Sequence, residues 1–160
     1  MLHVKMICVG KMRERFYLDA FAEYQKRLQT LCRFELCEIA EQRLPDEPSE
    51  REIAAALARE AEEVLKAIAP DAYAVALCVE GRQMPSEGMA ALLSERESSG
   101  RPKLCFVIGG SYGLDESVKR RSEMRLSMSQ MTFPHHLARV MLIEQLYRGF
   151  KIKAGARYHK

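Results

Sequence analysis

The feature that most restricts how this chain can fold is the steady exchange of two hydrophobic periods along it. Short apolar runs at residues 4–9, 34–39, 73–79 and 104–108 alternate with segments whose apolar residues recur every three or four positions. The runs at 73–79 and 104–108 are almost continuously apolar, as strands covered on both faces must be. Residues 34–39 alternate with period two, as a half-exposed or edge strand should. Phe16, Leu18, Phe21, Tyr24 and Leu28 predict the first helix. Ser49-Glu50-Arg51-Glu52 has the spacing of a capping box, and Ile53, Leu57, Val64, Leu65 and Ile68 behind it line one face of a second helix. Residues 80–85 read as a turn, Ser86 as the cap of a helix carrying Met89, Leu92 and Leu93, residues from about Leu114 as a short helix, 125–128 as a fifth strand and 135–152 as the last helix. This order predicts an α/β fold with a mostly parallel sheet of five or six strands flanked by helices.

At 160 residues the chain is expected to form one domain, residues 1–160, large enough to bury a core without a disulfide or a metal. Its five cysteines are odd in number, lack a Cys-x-x-Cys, and fall mostly inside apolar runs, which points to a reducing, cytoplasmic setting rather than to disulfides or zinc. The first residues lack the apolar core of a signal peptide, and no apolar run approaches the roughly 20 residues that cross a bilayer. The net charge of +3 is small, so the placement of the charge says more than the sum.

In open parallel sheets, ligands sit beyond the carboxyl ends of the strands. Three loops fall there: 79–84, 109–113 and 129–134. Gly109, Gly110 and Gly113 either let the backbone approach a ligand or simply make a tight strand-to-helix turn. The pattern is neither G-x-G-x-x-G nor a P-loop, which argues against a dinucleotide or ATP site. Ser129, Gln130, Met131, Thr132, Phe133 and Pro134 form either the wall of a purine pocket or a loop that packs Met131 and Phe133 into the core. The final helix is apolar on more than one side, which a subunit interface would explain. Arg139, Arg148, Lys151, Lys153, Arg157 and Lys160 accompany it, beside Tyr147 and Tyr158, a combination that either suits phosphates and bases or makes a solvated charged face. His135 and His136 are adjacent, so they are expected to point apart on a helix, which disfavours a metal pair. His159 is the imidazole best placed for proton handling.

These loops, in this order, resemble a known family. Cys8-Val9-Gly10-Lys11, Phe106-Val107-Ile108-Gly109-Gly110 with Gly113-Leu114, the segment from Leu126-Ser127 to Pro134-His135, Glu144-Gln145-Leu146-Tyr147-Arg148 and the terminal Tyr158-His159 are similar to the ribosomal large-subunit methyltransferase H family of SPOUT methyltransferases, over the whole chain. The resemblance implies an α/β knot, with the C-terminal segment threaded through a loop as a trefoil. It implies S-adenosylmethionine as cofactor, bound in a bent shape by Leu77, Gly109, Gly110 and residues 129–134. It implies a homodimer, no metal, and rRNA in the assembled ribosome as partner. The implied reaction is methylation of N3 of a pseudouridine. Arg148, Tyr158 and His159 are the expected substrate-binding or proton-handling residues. Many relatives have proline where Arg157 stands. The alternatives are another SPOUT-like RNA methyltransferase and a non-catalytic ribosome-binding module, which would bind ribosomes without affinity for the cofactor.

Overall fold

A computed structural model of the chain describes residues 1–156; Arg157, Tyr158, His159 and Lys160 lie outside the described residues. The expected alternation is present. It runs β1 (His3–Val9), α1 (Arg15–Leu28), β2 (Arg33–Ile39), α2 (Glu50–Ala67), β3 (Tyr73–Arg82), α3 (Ser86–Ser98), β4 (Lys103–Ile108), α4 (Glu116–Arg121), β5 (Met124–Leu126) and α5 (His135–Lys153). The five strands form one wholly parallel sheet in the order β2-β1-β4-β3-β5. β2 takes an edge position, in keeping with its alternation.

The period of two in the buried strands divides the core into two layers. Val4, Met6 and Cys8 of β1, Val75 of β3 and Leu104, Phe106 and Ile108 of β4 face one side, where Phe21, Leu93, Leu142, Ile143 and Leu146 of α1, α3 and α5 cover them. Ile7, Val9, Ala74, Ala76, Cys105 and Val107 face the other side, under Ala61 and Val64 of α2 and Val118 of α4. Burying side chains on both faces is what made the strand runs continuous rather than alternating.

Helix starts are set by local chemistry. The Ser49 side chain accepts from the Glu52 amide and Glu52 reaches back to the Ser49 amide, the reciprocal capping box expected there. α4 begins later than expected, because the Asp115 carboxylate accepts from the Ser117 amide and caps the helix at that point. Ser86 does not cap α3: Pro85 holds that position, and the Ser86 hydroxyl instead donates to Gln145 Oε1 of α5 at 2.7 Å. α3 and α5 are thereby tied side by side.

The stretch expected as a turn at residues 80–85 is in part a strand. β3 runs on to Arg82 because Leu126 of β5 pairs with both Leu77 and Arg82, leaving residues 78–81 to arch over it. The Ser127 amide donates to the Arg82 carbonyl at 3.0 Å and closes the arch. β5 is correspondingly short and ends at Leu126 rather than Met128.

Candidate functional site

Because the strands are parallel, their carboxyl ends, and the loops that leave them, lie along one edge. A cleft of about 740 Å³ opens there. Three segments build it: the end of β3 and the arch (Leu77, Cys78, Val79, Glu80), the glycine loop after β4 (Gly109 to Leu114), and the segment after β5 that leads into α5. Leu77, Gly109, Gly110, Ser129, Met131, Thr132, Phe133 and Pro134, all expected in a cofactor site, line it together. Gln130 lies in the same loop but is not among the lining residues.

Each wall is held by specific bonds. In the glycine loop, the Gly113 amide donates to the Gly110 carbonyl at 3.1 Å. A β-carbon on Gly110 would lie 2.8 Å from Glu41 Oε1, and that carboxylate also accepts from the Ser111 hydroxyl at 3.3 Å. In the opposite wall, the buried Ser127 hydroxyl donates to the Ser129 carbonyl at 2.8 Å, and the Ser129 hydroxyl accepts from the Met131 amide at 3.0 Å. The hydroxyls thus fold the loop on itself. Met131 is 72% exposed at the mouth, so it does not fill the core. The cleft is left open between two self-supporting loops.

Next to the cleft-lining Ala138 on α5 lies Arg139, 1% exposed. Its Nη2 donates to the carbonyls of Val9 and Gly10, both at 2.8 Å, and its Nη1 to Glu38 at 3.1 Å. In the sequence Arg139 groups with the cations suited to phosphates and bases. It instead pins the start of α5 to the end of β1, and its bonds to backbone carbonyls leave no sequence signal. Arg148, expected at the substrate, donates through Nε and Nη2 to Glu144 Oε1 one turn earlier on α5 and does not line the cleft. Tyr158 and His159 lie outside the described residues.

Beyond the residues expected to hold a cofactor, the cleft holds a charged pair, a thiol and an imidazole. Glu80 and Lys119 form an ion pair on its rim, and the Lys119 ammonium holds the Glu80 carboxyl below its ordinary range. Cys78 faces the cleft, and burial, with Glu80 nearby, raises its thiol pKa. His135 lines it as well; burial first, then His136 and Arg139, lowers its pKa, favouring the neutral imidazole. His135 and His136 do not diverge. Their ring centroids are 4.2 Å apart, and both line a neighbouring cleft, because they occupy the open first turn of α5. Among the described residues, no three His, Cys, Asp or Glu side chains are grouped to hold a metal, and no helix is long and apolar enough to cross a membrane.

An apolar cleft of this size, with a few convergent polar groups, suits a small-molecule cofactor. S-adenosylmethionine fits its chemistry: backbone and apolar walls for an adenosine, and the Glu80–Lys119 pair of opposite charges for an ammonium and a carboxylate.

Comparison with known proteins agrees with the geometry. Residues 2–159 match the family model described as "Predicted SPOUT methyltransferase". The chain is 43% identical over 159 residues to the ribosomal RNA large subunit methyltransferase H of Streptococcus equi subsp. zooepidemicus (strain MGCS10565), covering 99% of this chain and 100% of the relative. It is 42% identical over the same shares to the protein of that name from Streptococcus pyogenes serotype M5 (strain Manfredo). Among solved structures, a probable methyltransferase from Bordetella pertussis Tohama I superposes with a TM-score of 0.58 at 15% identity, covering 92% of this chain and 93% of that one. A probable methylase family protein from Haemophilus influenzae Rd KW20 gives 0.52 at 14% identity, covering 98% and 70%. At such identities these two speak for the fold alone.

Proposed function

The chain belongs to the SPOUT methyltransferase family, and from that premise we propose that it methylates N3 of a pseudouridine in large-subunit rRNA of the assembled ribosome, with S-adenosylmethionine as donor. The observation that carries this reading is the convergence of the three carboxyl-edge loops on one cleft. Support for the rRNA target comes from full-length likeness to relatives named as ribosomal RNA large subunit methyltransferases.

The cofactor, when bound, supplies a methyl group on a sulfonium. Leu77, Gly109, Gly110 and the 129–134 loop would hold it, and Glu80 and Lys119 lie where they could meet its charged end. Methyl transfer from a sulfonium is an in-line displacement, so the chain's main task is positioning. N3 of the base must lose its proton before or during attack. His159 is the proposed base, Arg148 the proposed partner of the charge that develops on a neighbouring carbonyl oxygen, and Tyr158 a further proposed substrate-site residue.

The reading includes a single cytoplasmic domain working as a homodimer. Val140, Met141 and Tyr147 of α5, only partly buried, suit the subunit contact. It also includes the trefoil knot that the resemblance implies.

Two measurements test the proposal. Calorimetry should show that S-adenosylmethionine binds the purified protein. Mass spectrometry of rRNA from cells with and without the gene should show one methylated pseudouridine lost. Ribosome binding without cofactor binding would favour a non-catalytic module.

A further inference from the structure

A second cleft, of about 480 Å³, adjoins the first along the same edge of the sheet. It lies beyond the ends of β1 and β2 and is lined by Gly10, Lys11, Arg13 and Glu14 on one side and by Ala40 and Glu41 on another. His135 and His136 complete it. His135 lines both clefts.

The charges in this second cleft are unevenly engaged. Its two carboxylates are already in use. Glu14 is bonded to His136 Nδ1 at 2.9 Å, and Glu41 accepts from the Ser111 hydroxyl of the glycine loop at 3.3 Å. Beneath the cleft, the buried Arg139 cation faces Glu38 and two backbone carbonyls. Lys11 and Arg13 are different. Both are exposed, and among the described residues neither side chain has a carboxylate or hydrogen-bond partner. The cleft therefore offers two cations without a partner among the described residues, beside two carboxylates that are already hydrogen-bonded, in a volume large enough for more than a bare ion.

We propose that this second cleft seats the RNA strand next to the target base, with backbone phosphates on Lys11 and Arg13, so that the target base enters the first cleft past His135. The inference rests on the methyltransferase reading and adds to it a substrate-positioning subsite outside the chain's terminal residues. Phosphate contacts of this kind fix register without reading sequence. They leave a distinctive mark, because each phosphate neutralised by a cation steepens the fall of affinity with salt, by about 0.7–0.9 in log–log slope.

The test is binding of the full chain to purified ribosomes over a salt series. A Lys11→Ala/Arg13→Ala variant is expected to bind more weakly at physiological salt and to flatten the slope by about 1.4–1.8. Its ribosome KM should rise while its affinity for S-adenosylmethionine stays within twofold of the parent. Lys11→Arg/Arg13→Lys, which keeps the charge, should retain the slope. Arg51→Ala/Arg59→Ala, exposed on α2 in the other helical layer, should leave it unchanged. An unaltered slope in the Lys11→Ala/Arg13→Ala variant overturns the proposal. So does an equal flattening by the α2 pair, which would make the effect one of net charge. A parent protein that binds ribosomes but not the cofactor would sink the methyltransferase reading, while the salt slope would still judge the phosphate subsite.

Discussion

A β-carbon placed on Gly109 would lie 2.3 Å from the carbonyl oxygen of Gly113. The glycine loop is thus closed against its own backbone, and the tight turn and the ligand wall are one object. Backbone cannot yield as a side-chain tip can. Gly109→Ala is expected to cost about 1–3 kcal/mol of stability through overpacking. It should also weaken S-adenosylmethionine binding beyond that loss, since the wall from Gly109 to Leu114 must be displaced. Denaturant melts and calorimetry on the same variant separate the two effects.

Cysteine labelling offers a direct view of the first cleft. Burial pushes the thiols of Cys8, Cys32 and Cys105 up to about 12, and they should stay silent toward an alkylating reagent at mildly alkaline pH. Cys78 is only partly buried and lines the cleft, so it should react slowly despite its raised pKa. Saturating S-adenosylmethionine is expected to slow alkylation of Cys78 while leaving half-buried Cys37 unaffected. Peptide mass spectrometry reads both rates from one sample. Equal rates at Cys78 with and without cofactor would place the cofactor elsewhere.

Much of this architecture was legible in the residues, for physical reasons that also mark where legibility stops. The runs around Val75 and Phe106 are continuous because both faces of the sheet are covered, so strand type and depth could be read together. Ser49 and Glu52 announced α2 because capping is local chemistry. The strand end at Arg82 was hidden, because it depends on pairing with Leu126, more than forty positions along the chain. Arg139 looked like one more surface cation, because a buried guanidinium bonded to carbonyls has the same letter as a solvated one. The Glu80–Lys119 pair at the cleft rim joins two elements that only the fold brings together. The cofactor loops were picked out by resemblance and by their place after strands, whereas Lys11 and Arg13 acquire meaning only from the cleft they border.

Glu60 makes the stability of the fold depend on pH in a predictable direction. Its side chain is buried, and Oε2 accepts from the Gln42 amide at 2.9 Å. Burial, with the nearby Glu41 charge, raises its pKa above the ordinary 4.5. The folded state therefore holds this proton more tightly than the unfolded chain does. The contribution is fully present below the unfolded pKa and is lost as pH rises through the folded value. At neutral pH the ionised carboxylate costs stability. Glu60→Gln keeps an acceptor for the Gln42 amide without the charge, and should raise Tm at pH 7 by about 1–4 °C. The advantage should shrink as pH falls toward 4, and melts at both ends of that window check the sign.

The arch supplies the sharpest test of how the two sides of the cleft depend on each other. A β-carbon on Gly81 would meet the backbone carbonyl carbons of Arg125 and Leu126, both at 2.7 Å. Nothing there is a flexible tip, so Gly81→Ala must push β5 away from the end of β3. β5 is a three-residue edge strand whose strand pairing is with β3, and it leads directly into the 129–134 wall. The expected result is local opening rather than global unfolding. In hydrogen exchange, the Ser127 amide, which donates to Arg82, should lose protection together with its neighbours in the wall. Amides of β1 and β4, in the middle of the sheet, should keep theirs. Cofactor affinity should fall with the Ser127 protection. A variant that loses Ser127 protection yet binds S-adenosylmethionine normally would show that the wall after β5 is not part of the binding site.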